Sequence, residues 1–115
     1  MKKVLVALFV LSFALVVFAV DKGPETIDLS KAFNVEKTTK KPVMFPHAFH
    51  QSKNDCTECH MSAEGGKDLK NINNGGKLEV GQVKGMNNNI HKEFCFPCHV
   101  AKNVPKGKVC STCHK

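Results

Sequence analysis

The chain has 115 residues, a formal net charge of +7, six cysteines, eight phenylalanines, and neither tryptophan nor tyrosine. Its basic residues are all lysines and are scattered, whereas a nucleic-acid reader uses arginine forks and clustered basic stripes, so that class is excluded. So short a chain with so few large side chains also cannot build a conventional core.

Met1-Lys2-Lys3 leads into an apolar run from Val4 to Val20, interrupted by Ser12 and ending in Val17-Phe18-Ala19. A basic start, an apolar middle and a Val-x-Ala end predict a secretory signal at residues 1–19, cleaved after Ala19, with residues 20–115 as one domain. An uncleaved membrane anchor is the alternative, because the run approaches the length that spans a bilayer. No cysteine lies near the cut, so no lipid anchor is expected.

After the signal, the alternating stretch Thr26-Ile27-Asp28-Leu29 and the run Val43-Met44-Phe45 predict two short strands, paired as an N-terminal hairpin across a long connection. Pro46 suits the first position of a helix whose next turn is His47 to Gln51. Asp55 followed by Glu58 resembles a capping box and puts a helix start at the following cysteine.

That helix start carries Cys56-Thr57-Glu58-Cys59-His60, the first of three copies of one pattern. The others are Cys95-Phe96-Pro97-Cys98-His99, where Pro97 favours a helix N-terminus, and Cys110-Ser111-Thr112-Cys113-His114. All six cysteines fall in C-x-x-C-H, the attachment signature of c-type haem. Side chains three and four residues apart share a helix face, so both thiols can reach one porphyrin edge while the imidazole addresses its iron. A disulfide scaffold and a Cys/His zinc site compete for six cysteines, but neither needs a histidine directly after the second cysteine of every pair. Three covalently attached c-type haems are therefore expected, with His60, His99 and His114 as iron ligands. Export to the periplasm suits this chemistry, since bacterial c-type haem is attached outside the cytoplasm.

About thirty residues then remain for each macrocycle, so the haems themselves are expected to form the core of a small, irregular fold. The chain without haem is expected to be largely unfolded. Between residues 62 and 89 the composition turns to Gly, Asn and Lys, including Asn73-Asn74-Gly75-Gly76 and Asn87-Asn88-Asn89. This is turn chemistry, expected to form a surface excursion with a short strand at Leu78 to Val83.

Three histidines remain outside the motifs: His47, His50 and His91. Three irons need three distal ligands, histidine is a common axial ligand, and the numbers match. His47 and His50 lie on one helical face and could hold two irons close together. Met44, Met61 and Met86 are the alternative ligands and would raise the reduction potential; with a histidine for each iron they are assigned to packing or loops.

Phe45-Pro46-His47-Ala48-Phe49-His50-Gln51, the first motif shortly after it, His91 four residues before Cys95, and a motif at the C-terminal end resemble the tri-haem cytochromes c7. These are small periplasmic members of the class III, cytochrome c3-like group. The resemblance covers roughly residues 43–61 and 90–115. It implies an N-terminal two-stranded sheet with a few short helices, and distal pairings of His47 with His60, His50 with His99 and His91 with His114. It also implies low-potential electron carriage through the periplasm towards extracellular or metal acceptors. The Gly/Asn-rich segment is longer here than in the typical small member.

An iron closed by two histidines offers a substrate no coordination position, so an electron carrier rather than an enzyme is expected. Its partners would be a membrane-associated donor, a periplasmic or outer-membrane acceptor, and soluble metal ions, with the carrier working as a monomer. A lysine rim at an exposed haem edge would steer acidic redox partners. The alternative is a small multihaem reductase with one open iron, which needs nearby acid or base groups that this sequence has no spare histidine to supply.

Overall fold

The computed structural model describes residues 22–115, so the expected signal segment lies outside the described residues. Strand β1 (Thr26–Asp28) pairs antiparallel with β2 (Met44–Pro46), in the register Thr26↔Pro46, Ile27↔Phe45 and Asp28↔Met44. The hairpin expected from the sequence is present. Asp28 ends β1 and caps α1 (Leu29–Ala32), accepting the Ser30 N–H at 3.0 Å and the Ser30 hydroxyl at 2.6 Å. Those bonds, the hydroxyl first, hold the Asp28 carboxyl below the usual carboxylate range.

Pro46 does not begin the next helix; it is the last residue of β2, and α2 spans His47–Gln51. Proline lacks an N–H, so it fits a strand end as readily as a first helical turn, and here its backbone stays outside the helix. The Ala48 N–H donates to the Glu25 carbonyl at 3.0 Å, and Gln51 Nε2 to the Lys22 carbonyl at 2.6 Å. These bonds fix α2 beside the start of the hairpin.

Helix α3 (Cys56–Cys59) starts where the capping pattern puts it, with the Asp55 N–H donating to Glu58 Oε2 at 2.9 Å. At the second motif Pro97 stands in the first turn of an α-helix, as expected, but the helical run does not start there. It begins upstream as a π-helical segment, Ile90–Cys95, and continues as α4 (Phe96–Ala101). Pro97 marks this change of winding. It cannot donate to the Glu93 carbonyl four residues back, and that carbonyl instead accepts the Ile72 N–H at 2.7 Å. Helix α5 (Cys110–Cys113) carries the third motif.

Residues 62–89 are mostly exposed and bridge to the rest through His60↔Leu69, with a second bridge, Lys70↔Lys77, inside the segment. The strand expected at Leu78 to Val83 does not form. Gly81, at φ +62°, adopts a left-handed backbone that breaks an extended run there. The segment nonetheless holds much of what is buried. Among the described residues the buried hydrophobics are Leu78 and Ile90, at 4% and 8% exposure, and the buried polar side chains are Asn71 and Asn88, at 7% and 5%. No described side chain falls below 2% exposure.

Lys102 Nζ donates to Glu58 Oε1 at 2.8 Å and so ties the end of α4 to α3. The Lys102 ammonium, and after it the Asp55 N–H, hold the Glu58 carboxyl below its ordinary value, while Glu58 holds Lys102 above its own. A depressed carboxylate contributes stability above its unfolded pKa and loses it as pH falls through the folded value. The raised lysine contributes below its unfolded pKa and loses it as pH rises through its folded value. The tie therefore operates across neutral pH. Wild type should melt slightly above Glu58→Gln at about pH 7, the pair being well exposed, and the margin should shrink as pH falls below the ordinary carboxylate range. A margin that did not change with pH would contradict this.

Candidate haem sites

The three motif histidines each face one histidine from outside the motifs. The rings of His47 and His60 have centroids 6.3 Å apart, those of His50 and His99 6.4 Å, and those of His91 and His114 6.4 Å. Imidazole nitrogens bind a metal ion at about 2 Å, so two imidazoles on opposite sides of one ion have centroids about 6 Å apart. All three pairs stand at that separation. They are the pairs that the resemblance implies, and they differ in twist: the planes cross at 80° and 69° in the outer two and lie within 12° of parallel for His50 and His99.

Hydrogen bonds set the tautomers. His47 Nδ1 donates to the Pro24 carbonyl at 2.9 Å, His50 Nδ1 to Pro46 at 2.9 Å, His91 Nδ1 to Met86 at 2.9 Å, His99 Nδ1 to Gly107 at 2.7 Å, and His114 Nδ1 to Lys41 at 2.6 Å. A carbonyl can only accept, so each Nδ1 carries the proton and leaves its Nε2 lone pair free. This is the arrangement of metal-binding histidines. His60 differs, because its Nδ1 is buried without a partner.

Each ring is also placed by its element. Helix α2 puts His47 and His50 one turn apart, and the Phe45 ring lies 4.2 Å from the His50 ring. The π-helical segment carries His91, whose ring stacks on Phe96 at 4.9 Å and 12°. Behind His99, Gly107 comes so close that an added Cβ would meet the ring Nδ1 at 2.7 Å.

Among the described residues no cysteine is paired with another in a disulfide. Burial pushes the Cys95 thiol up to about 12, with like charge from Cys113, Cys98 and Cys59 adding to it. Cys59 is raised by burial and then by Cys98. The three motifs thus lie near one another. Among the described residues no cluster of three or more His, Cys, Asp or Glu side chains is arranged to hold a bare metal ion. The donor set present, two thiols and two facing imidazoles repeated three times, fits haem instead.

Reasoning from sequence did not find the carbonyls of Pro24, Met86, Gly107 and Lys41, nor Gly107 and Asn88 as neighbours of the rings. A backbone carbonyl leaves no signature in sequence; the glycine eight residues after His99 and the asparagine run just before His91 were the only signals.

A short hairpin and a few short helices that present three C-x-x-C-H motifs, each with a facing imidazole, define a multihaem cytochrome of the c type. The family model described as the class III cytochrome C family matches residues 24–115, and the chain belongs to that family. Membership implies multihaem electron transfer with covalently bound c-type haem. No curated protein and no solved structure matches the chain.

Proposed function

We propose that this protein is a periplasmic, low-potential electron carrier with three haems, each closed by two histidines: His47 with His60, His50 with His99, and His91 with His114. The observation that carries this reading is the common separation of the three ring pairs, 6.3, 6.4 and 6.4 Å, each joining a motif histidine to one outside the motifs. Cys56 and Cys59, Cys95 and Cys98, and Cys110 and Cys113 are assigned the thioether bonds. Bound haem supplies one-electron exchange between ferric and ferrous iron.

The chain holds, orients and insulates. The Nδ1 bonds to carbonyls keep five Nε2 lone pairs available and stop the rings from turning. Imidazoles on both sides leave no coordination position for a substrate, which favours a carrier over a reductase with an open iron. Histidine rather than methionine in the axial positions favours low potential. His47 and His50 face histidines of different motifs from one helical turn, which favours fast exchange between the first two sites. The thin side-chain core, together with exposed Met44, Phe49, Val100 and Val109, offers apolar surface that three macrocycles can cover.

Class III cytochromes are typically periplasmic, and the apolar N-terminal run supports export. The proposed partners are a membrane-associated donor and a periplasmic or outer-membrane acceptor, with soluble metal ions as further acceptors and scattered lysines steering acidic surfaces. Anaerobic reductive titration of the haem-loaded protein, combined with its intact mass, tests the reading. Three attached haems and three electrons taken up per chain are expected. Fewer haems, or turnover of a substrate bound at iron, would overturn it.

A further inference from the structure

Residues 69–89 do more than connect two motifs. On one side the Ile72 N–H donates to the Glu93 carbonyl at 2.7 Å, Asn71 Nδ2 to Glu93 Oε2 at 2.8 Å, and Asn73 Nδ2 to the Lys92 carbonyl at 3.1 Å. All three bonds land on the π-helical segment directly after His91. On the other side Asn88 Oδ1 accepts the His91 N–H at 3.1 Å, and Asn88 Nδ2 donates to the Gly85 carbonyl at 2.7 Å. That second bond closes the turn that presents the Met86 carbonyl to His91 Nδ1 at 2.9 Å.

Burying an amide is costly unless it is hydrogen-bonded. Asn71 and Asn88 are the buried polar side chains among the described residues, and both are bonded towards the His91 segment. The amide assignment of Asn88 follows from its partners, since a backbone N–H needs Oδ1 and a carbonyl needs Nδ2. Asn88 Nδ2 also lies 3.1 Å from His91 Nδ1. With the Nδ1 proton committed to the Met86 carbonyl, that contact acts as a stop against ring rotation.

We propose that residues 69–89 form a clamp on His91 and that Asn88 is its positioning residue, fixing both the backbone of His91 and the carbonyl that sets its ring. This rests on the reading of His91 as an iron ligand. It gives the Gly/Asn-rich segment a task that its composition does not reveal. Loss of an outer hydrogen-bond partner of a ligating histidine typically costs roughly 10- to 100-fold in metal affinity or activity.

The test uses the haem-loaded full chain carrying His91→Ala, Asn88→Ala, Asn88→Asp or Asn71→Ala, read by ferric spin state and carbon monoxide binding. His91→Ala should open one iron. Asn88→Ala should then let carbon monoxide reach that same iron and shift its resonance signal alone. Asn88→Asp, which keeps the acceptor for the His91 N–H, should restore part of the closed state. Asn71→Ala cuts the clamp from its other side and should give the same site-selective change, which keeps the test decisive if Asn88→Ala fails to fold. If His91→Ala opens an iron while the asparagine variants stay closed with unchanged signals, or disturb all three irons alike, the clamp is refuted. If His91→Ala opens no iron, the ligand assignment falls, and the clamp with it.

Discussion

Replacing His50 with alanine is expected to make one iron per chain bind carbon monoxide and turn high-spin, leaving the other two closed. The His50 ring faces His99 at 6.4 Å and is held by the Pro46 carbonyl and the Phe45 ring. Alanine removes it, and no methionine is needed at this position in the wild type. His99 keeps its own tether to the Gly107 carbonyl, so the proximal side should survive. His47→Ala should open a different iron, because its ring faces His60 instead. The two variants therefore separate two sites that lie one helical turn apart on α2. A ferric spectrum unchanged from wild type in either variant would remove that histidine from the ligand set.

Among the described glycines, Gly107→Ala is expected to be the most crowded replacement. The new Cβ would stand 2.7 Å from His99 Nδ1, 2.9 Å from His99 Cβ and 3.0 Å from the Val104 carbonyl oxygen. None of these can move freely, because the Gly107 N–H donates to the same Val104 carbonyl and the Gly107 carbonyl accepts from the ring. Overpacking of this kind costs about 1–3 kcal/mol. The strain falls on the proximal ligand, so a lower melting temperature should come with an altered signal from the His99 site alone. Lys108→Ala, one residue on, should leave that signal in place. Normal melting and an unchanged His99 signal in Gly107→Ala would show that the turn can yield.

The sequence carries the attachment motifs in full, because two thiols one helical turn apart with an imidazole directly after the second are a local stereochemical demand. The hairpin is legible for a related reason: Ile27 and Phe45 alternate with polar or exposed neighbours and meet in register. Pro46 is a residue out because a missing N–H suits either side of a strand–helix junction. The π-helical winding of Ile90–Cys95 is not legible, since nothing local in the sequence shows that the Glu93 carbonyl, which Pro97 cannot use, accepts from distant Ile72. The histidine pairs join residues far apart in the chain, and a count of histidines could not say which faces which; the resemblance implied the pairs that the rings form. Residues 62–89 read as turns from composition, yet Leu78, Asn71 and Asn88 bury there, and the two asparagines bond to the π-helical segment.

The proposal of three closed, bis-histidine irons is tested most directly by electron paramagnetic resonance of the oxidised, haem-loaded protein. Parallel imidazole planes donate into the same iron d orbital and split it from its neighbour, whereas crossed planes load both alike. The 12° pair, His50 and His99, should therefore give a rhombic low-spin signal, and the 80° and 69° pairs signals of much larger maximum g. Wholly low-spin iron in that two-to-one pattern is the predicted result. A high-spin component amounting to one iron per chain would mean that one pair does not close its site, and the reductase reading would take the lead.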